Sequence, residues 1–577
     1  MSPARSGIGA PSLRRFLLLA ALAASGCRTV EPGLPLAPTT AARPSGRDLV
    51  PLACRARQEG RKLERRGVDA SVDRYYEATV YAAAAVTGAA AGPVESEGFA
   101  EARDLYNACL LDCLRAGQRF GRLDARSSLL VNGPSGTIAV PIRRTGFVWA
   151  DEDFARVVDP TPAPRNPSAH ADNETAGLGA AVAIERDNPR RPGQDDFLPS
   201  PAVFNATAVL RPDLDAWLAP SGRAPADSLE FYDPLRTPSV AFDPSPALPL
   251  HAAPNGAIAV ARRLQEERGP FALAGFAMPE QMLSKADIRM LEPYQPGKSP
   301  FLLIHGLIND PFMFNDMVVG LQRTPGFLDR HQVWVFRYPT GVTFIRSAAI
   351  LRAQIEKISA TLDPAGVDPA LSDWTLLGYS MGGLLARLQV SWSGDAIWNE
   401  VATRPLDRLQ VDDGSRKTLR ELFFFEPSPR IRRVVFLATP HDGASTSTAA
   451  ASWLATRIVR RPADTRKLVE EIERNNPGAV RPALRNLPSS VDALAAYSPI
   501  LPAVRGLPYN PAVEIHTIAG TGFHPPDRGR GDTVVPLASA HVDEAVSEHH
   551  VKARHTAIYY NPDTIAQVRR ILGLATP

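Results

Sequence analysis

The chain has 577 residues, of which 44% are hydrophobic, enough for a substantial core in one decorated domain or several domains. Its 64 basic and 61 acidic residues nearly cancel, at a formal net charge of +3, which excludes the basic footprint of a nucleic-acid binder. Proline is abundant, at 54 residues, and much of it lies between Pro160 and Pro254, where long loops are expected.

Residues 1–26 read as an export signal rather than as fold. Arg5, Arg14 and Arg15 form a charged start, and Phe16–Ala24 is an apolar run too short to span a bilayer as a stable helix. The run ends in Ala24-Ser25-Gly26-Cys27, which resembles the lipobox of bacterial lipoproteins. That resemblance implies acylation of Cys27 and a folded part tethered by lipid outside the cytoplasm. Arg28, in place of the aspartate that often retains such proteins at the inner membrane, favours the outer membrane. Residues 27–46, rich in Pro, Ala and Thr, are expected to form a flexible stalk.

Residues 47–126 carry aromatic and small residues at helical spacing, in Tyr75–Val86 and again in Phe99–Leu114. A small helical module is expected there, similar to a tetratricopeptide-like hairpin but too short for a solenoid. Cys54, Cys109 and Cys113 remain after Cys27. In an oxidising compartment one disulfide is expected, with Cys54 pairing Cys109 or Cys113; the alternative is three small core residues. Residues 127–285 change to short strand-like runs (Leu129–Val131, Thr137–Val140, Ala206–Leu210, Leu229–Asp233, Ser239–Phe242) separated by Pro-rich loops. This reads as an irregular β-containing domain, with a short amphipathic helix at Ile258–Leu264. Neither segment carries recognisable chemistry.

Residues 286–577 alternate apolar strands with helical patterns, which predicts an α/β unit around a mainly parallel sheet with right-handed crossovers. Phe301–Ile304 is an unbroken apolar run, as expected of a strand covered on both faces. The stretch Trp374–Gly383 reads as a buried strand, a sharp turn at Ser380, and a helix beginning at Leu384. This context gives Gly378-Tyr379-Ser380-Met381-Gly382 its meaning. A serine held at such a turn needs neighbours with almost no side chain, and Gly378, Gly382 and Gly383 supply them.

Serine alone is a poor nucleophile. It needs a base, an acid that orients the base, and donors for an oxyanion. The acid is expected at Asp532, in the glycine-flanked turn Gly531-Asp532-Thr533-Val534-Val535-Pro536; Asp442, after the preceding strand, is the rival. Among eleven histidines, His555 stands just before the last helix and is expected to be the base, with His550 the runner-up. The backbone amides of Met381 and Leu307 are the expected oxyanion donors. No metal spacing is evident, and this chemistry needs no cofactor.

Taken together, Ile304-His305-Gly306, Phe336–Gly341, Gly378–Gly383, Ala438-Thr439-Pro440-His441 and Gly531–Pro536 resemble a bacterial α/β-hydrolase of the lipase/esterase type. The likeness covers about residues 291–574. It implies Ser380 as nucleophile, Asp532 as acid and His555 as base. It departs from many relatives at Asp442, where a basic residue is common, so the rival acid stays open. Residues 445–507 are read either as a cap over the serine or as part of the globular core. The resulting expectation is a lipid-anchored enzyme cleaving carboxylic esters through an acyl-enzyme. The same nucleophile would serve an acyltransferase, and a non-catalytic surface-binding lipoprotein is the alternative from another class.

Overall fold

The computed structural model describes residues 46–90, 96–133, 136–160, 174–187, 191–218, 224–267, 274–275, 278–444, 463–485, 498, 500–522 and 530–575. Residues 1–45, which include the stretch read as an export signal, Cys27 and nearly all of the expected stalk, lie outside the described residues. No described helix is long and apolar enough to cross a membrane.

Three helices open the fold: α1 (Gly46–Arg65), α2 (Ser71–Ala89) and α3 (Glu97–Arg119). Ser96 caps α3 by accepting from the Phe99 amide, and the apolar residues Phe99, Ala102, Tyr106, Cys109, Leu110 and Cys113 recur at helical spacing and are buried. The helices pack on a seven-stranded sheet in the order β1 (Leu123–Asp124), β2 (Ser128–Gly133), β3 (Gly136–Thr145), β7 (Ser228–Tyr232), β6 (Val203–Arg211), β5 (Ala180–Glu185), β4 (Arg156–Val158). All its pairings are antiparallel except β3 with β7. The region is thus more regular than its prolines suggest. Tyr106 joins helix to sheet: its hydroxyl donates to the Leu210 carbonyl and accepts from the Leu210 amide, both at 2.7 Å.

The expected disulfide is corrected. Cys54, Cys109 and Cys113 are free thiols. Cys109 packs against Ala56 of α1 and Ala78 of α2. Burial pushes the Cys109 thiol up to about 12 and the Cys113 thiol higher still, so both stay protonated core residues.

After a hairpin of β8 (Ser239–Phe242) and β9 (Ser245–Pro249), a second seven-stranded sheet follows. Its order is β10 (Asp287–Met290), β12 (His331–Arg337), β11 (Ser299–Ile304), β13 (Trp374–Tyr379), β14 (Ile431–Leu437), β15 (Glu514–Gly520), β16 (Ser547–Val551). Only β10 is antiparallel to its neighbour. The chain steps outward one way from β11 to β12, then returns to place β13 on the other side of β11. At such a reversal, beyond the carboxyl ends of the strands, open α/β sheets place their ligands, and here it falls at β11 and β13.

The crossover helix Phe344–Leu362 shows why this topology forms. Thr343 caps it by accepting from the Arg346 amide. Ile345, Ala348, Leu351, Ile355 and Ile358 then fall on one face, which is buried in the core cluster shared with Leu302, Leu376 and Phe436. The opposite face of the sheet (Leu303, Leu377, Val435) is covered by Met317, Val318, Leu321, Ile565 and Val568. Each crossover strand is therefore buried on both sides, as its continuous apolar sequence requires. The two halves share one core, and Arg236 bridges them with two hydrogen bonds to Glu292, at 2.9 and 2.6 Å. Within 445–507, the helix Ala463–Asn475 buries Val469 and Ile472 in that same core, and the segment pairs Val480 with Ala402.

Candidate active site

At the end of β13 the chain turns sharply into the helix Met381–Arg387. Ser380 sits in that turn at φ 53°, ψ −123°, a conformation L residues rarely adopt. The glycines around it are sterically required. A Cβ on Gly378 would lie 2.5 Å from the Gly382 oxygen, one on Gly382 2.3 Å from the Ile304 oxygen, and one on Gly383 1.8 Å from Thr439 Oγ1. Among the described residues four non-glycine residues have positive φ: Ile308, Ser380, Ala438 and Thr533. Each follows the carboxyl end of β11, β13 or β14, or adjoins Asp532. Backbone strain is thus gathered at one edge of the sheet, as it is at functional sites.

Three side chains meet there. Ser380 Oγ lies 3.0 Å from His555 Nε2, and His555 Nδ1 lies 2.6 Å from Asp532 Oδ2. The carboxylate fixes the tautomer: Nδ1–H donates to Asp532, and the Nε2 lone pair faces the serine hydroxyl. Asp532 is itself held, since its Oδ1 accepts from the Val534 and Val535 amides at 3.0 and 2.7 Å. Gly520, at the end of β15, leaves the space this turn occupies, because a Cβ there would lie 2.4 Å from the Asp532 Cβ. All three residues are buried. In such a chain the imidazole can take the serine proton while the carboxylate stabilises the resulting imidazolium.

The loop His305–Leu307 presses on the serine, with a Cβ at Gly306 falling 3.1 Å from the Ser380 Cβ. Among the described residues the amides of Leu307 and Met381 have no hydrogen-bond acceptor. Both residues are buried, so two amide donors stand uncommitted on either side of the serine. The sequence motif Phe336–Gly341 now has a place. Tyr338 stacks on His305 at 4.4 Å and donates to its carbonyl at 2.7 Å, and Thr340 Oγ1 accepts from the Ile308 amide at 3.1 Å. These contacts brace the loop, a role the sequence did not reveal.

The structure places the two rival residues elsewhere. Asp442 does not reach His555: its carboxylate pairs with Arg505, and its amide donates to Ser539 Oγ at 3.0 Å. His550 does not reach Ser380. It lies in β16, half exposed, with Nε2 2.6 Å from Glu548 Oε1. The reason is β16 itself, a seventh strand that carries His549 and His550 within it and delivers His555 on the loop beyond. Asp442→Asn is therefore expected to leave turnover within about twofold of the parent, and a larger loss in steady-state assays would reopen the rival acid.

Four histidines outside this chain of three are held neutral. Burial, aided for His331 by the Arg330 charge, lowers His305 and His331 to about 4; burial and the charges of Arg387 and Arg505 hold His441 well below its ordinary range; burial and Arg433 lower His516. The unfolded chain protonates such imidazoles near about pH 6.5 and the folded chain does not. Stability should therefore fall as pH drops from about 6.5 toward 4, by a few kcal/mol for each fully shifted group. Melting temperatures across that window should decline less steeply in His331→Gln than in the parent; parallel curves would contradict the assignment.

No protein-family model and no curated protein matches the chain. Solved structures that align with it include the mature lipase BlEst2 of Bacillus licheniformis, at 16% identity over 49% of this chain and 94% of that one, with a TM-score of 0.29. The butyrate-bound esterase Est2 of Thermogutta terrifontis aligns at 14% identity over 50% and 91%, TM-score 0.25. A lipase-esterase related protein of Clostridium acetobutylicum aligns at 11% over 48% and 94%, TM-score 0.23. Superpositions this loose carry no argument about activity, and the functional reading stands on the geometry above.

Proposed function

We propose that the chain is a serine hydrolase of the α/β-hydrolase type that cleaves carboxylic esters through an acyl-enzyme. The observation that carries this is the hydrogen-bonded sequence Ser380–His555–Asp532 at the carboxyl edge of a mainly parallel sheet. In this reading Ser380 Oγ attacks the ester carbonyl as its proton passes to His555 Nε2. Negative charge develops on the former carbonyl oxygen and is met by the amides of Leu307 and Met381. His555 then returns the proton to the departing alcohol, and water, activated by the same imidazole, releases the acid.

The test is a series of p-nitrophenyl esters of increasing acyl length, assayed with and without detergent interfaces, with products analysed in the presence of an added alcohol. Turnover of some member to free acid supports the reading. Transfer of the acyl group to the added alcohol in preference to water assigns the same nucleophile to an acyltransferase. A folded protein inert toward every ester contradicts the proposal and favours a binding role. The second part of the reading is location: export, and a lipid anchor on Cys27 in a bacterial membrane, the outer membrane favoured. Radiolabelled palmitate should enter the wild-type chain and not Cys27→Ser, and label retained in that variant would remove the anchor.

A further inference from the structure

The residue before the nucleophile is a tyrosine whose hydroxyl is spent on the base. Tyr379 lies at the end of β13, fully inside the fold, and its hydroxyl donates to the His555 carbonyl oxygen at 2.9 Å. The His555 amide, in turn, donates to the Asp532 carbonyl oxygen at 2.7 Å. Both backbone groups of the histidine are therefore pinned, one to the acid and one to the neighbour of the nucleophile. The Tyr379 ring also lies under the imidazole, with centroids 5.1 Å apart at 34°, and Tyr559 packs on the tyrosine at 5.2 Å. Burial, with the Asp532 charge, raises the phenol far above its ordinary range, so the hydroxyl remains a donor throughout the working pH range.

We propose that Tyr379 is a positioning residue that fixes the His555 imidazole at proton-transfer distance from Ser380. This rests on the hydrolase reading. Ser380 and His555 are 175 positions apart in sequence. Through Tyr379 they are joined by one peptide link, one side chain and one hydrogen bond. A loop that delivers a base is otherwise free to drift, and a displacement of about 1 Å at a reacting pair costs on the order of a hundredfold in rate. The ring contributes separately, because its face favours the imidazolium that forms as the serine proton is taken.

Tyr379→Phe keeps the ring and removes the hydrogen bond. It should lower kcat about tenfold to a hundredfold while leaving KM within about twofold. The downfield proton resonance of the His555 Nδ1–H to Asp532 hydrogen bond should shift or broaden in the same variant. That resonance reports the seat of the imidazole whether or not the protein turns over an ester. Tyr559→Leu, which keeps the hydrogen bond and loosens the ring, should give a smaller loss and serves if Tyr379→Phe does not fold. Unchanged kcat with an unchanged resonance overturns the proposal, as does a loss of activity that only follows a lowered melting temperature. If the wild-type protein lacks esterase activity and the resonance still differs between it and Tyr379→Phe, the positioning role is sustained and the hydrolase reading is removed instead.

Discussion

Replacing Ser380 by alanine is expected to lower ester turnover about 10⁴- to 10⁶-fold while leaving the fold intact. The side chain touches the rest of the site through one hydrogen bond, to His555 Nε2 at 3.0 Å. Alanine at φ 53° carries the same backbone strain as serine, so the elbow does not gain a new penalty. What disappears is the oxygen hydrogen-bonded to the imidazole. The amides of Leu307 and Met381 remain, and some rate above that in water should persist from them. Steady-state kinetics beside thermal melting separates the two effects. Turnover within about tenfold of the parent, in protein that melts normally, would mean that another group attacks the ester.

Asp532→Asn should cost nearly as much, about 10⁴-fold in kcat, for a different reason. The asparagine oxygen can still accept from the Val534 and Val535 amides, which hold the aspartate at 3.0 and 2.7 Å, so the turn should survive. The amide nitrogen then faces His555 Nδ1, where a carboxylate oxygen stood at 2.6 Å. Two N–H groups cannot share that contact. The imidazole must move its proton to Nε2, and that nitrogen can no longer accept from Ser380. A variant that folds, keeps substrate binding and loses kcat fits this account. Near-parental kcat would show that the acid lies elsewhere, and would return attention to Asp442.

Much of this site was legible before any coordinates. The elbow was readable because its glycines answer close contacts, with Gly378, Gly382 and Gly383 each facing an atom under 3 Å from where a Cβ would lie. Strand β11 from Phe301, and β14 from Val434, are readable because burial on both faces leaves them continuously apolar. Sequence favours Asp532 as the acid and keeps Asp442 as a rival, since both follow a strand in a turn. In the structure the space beside Gly520 admits the Asp532 turn, and Arg505 pairs with Asp442. Strand β16 escaped because Ser547-Glu548-His549-His550-Val551 is polar and its burial alternates at an exposed sheet edge. Strand β5 escaped for the opposite reason. Its alanine-rich sequence is almost wholly buried and shows no alternation. The parts played by Tyr338, Thr340 and Tyr379 arise from contacts across 33, 32 and 176 positions, which local pattern does not encode.

The central claim is that one oxygen, at position 380, is a nucleophile activated through the fold. Treating the native full-length protein with a fluorophosphonate and mapping the adduct by peptide mass spectrometry tests this directly. A single phosphonylated peptide carrying Ser380 is expected, with labelling lost in Ser380→Ala and strongly slowed in Asp532→Asn. Unlabelled native protein, or an adduct on a different residue, would contradict it.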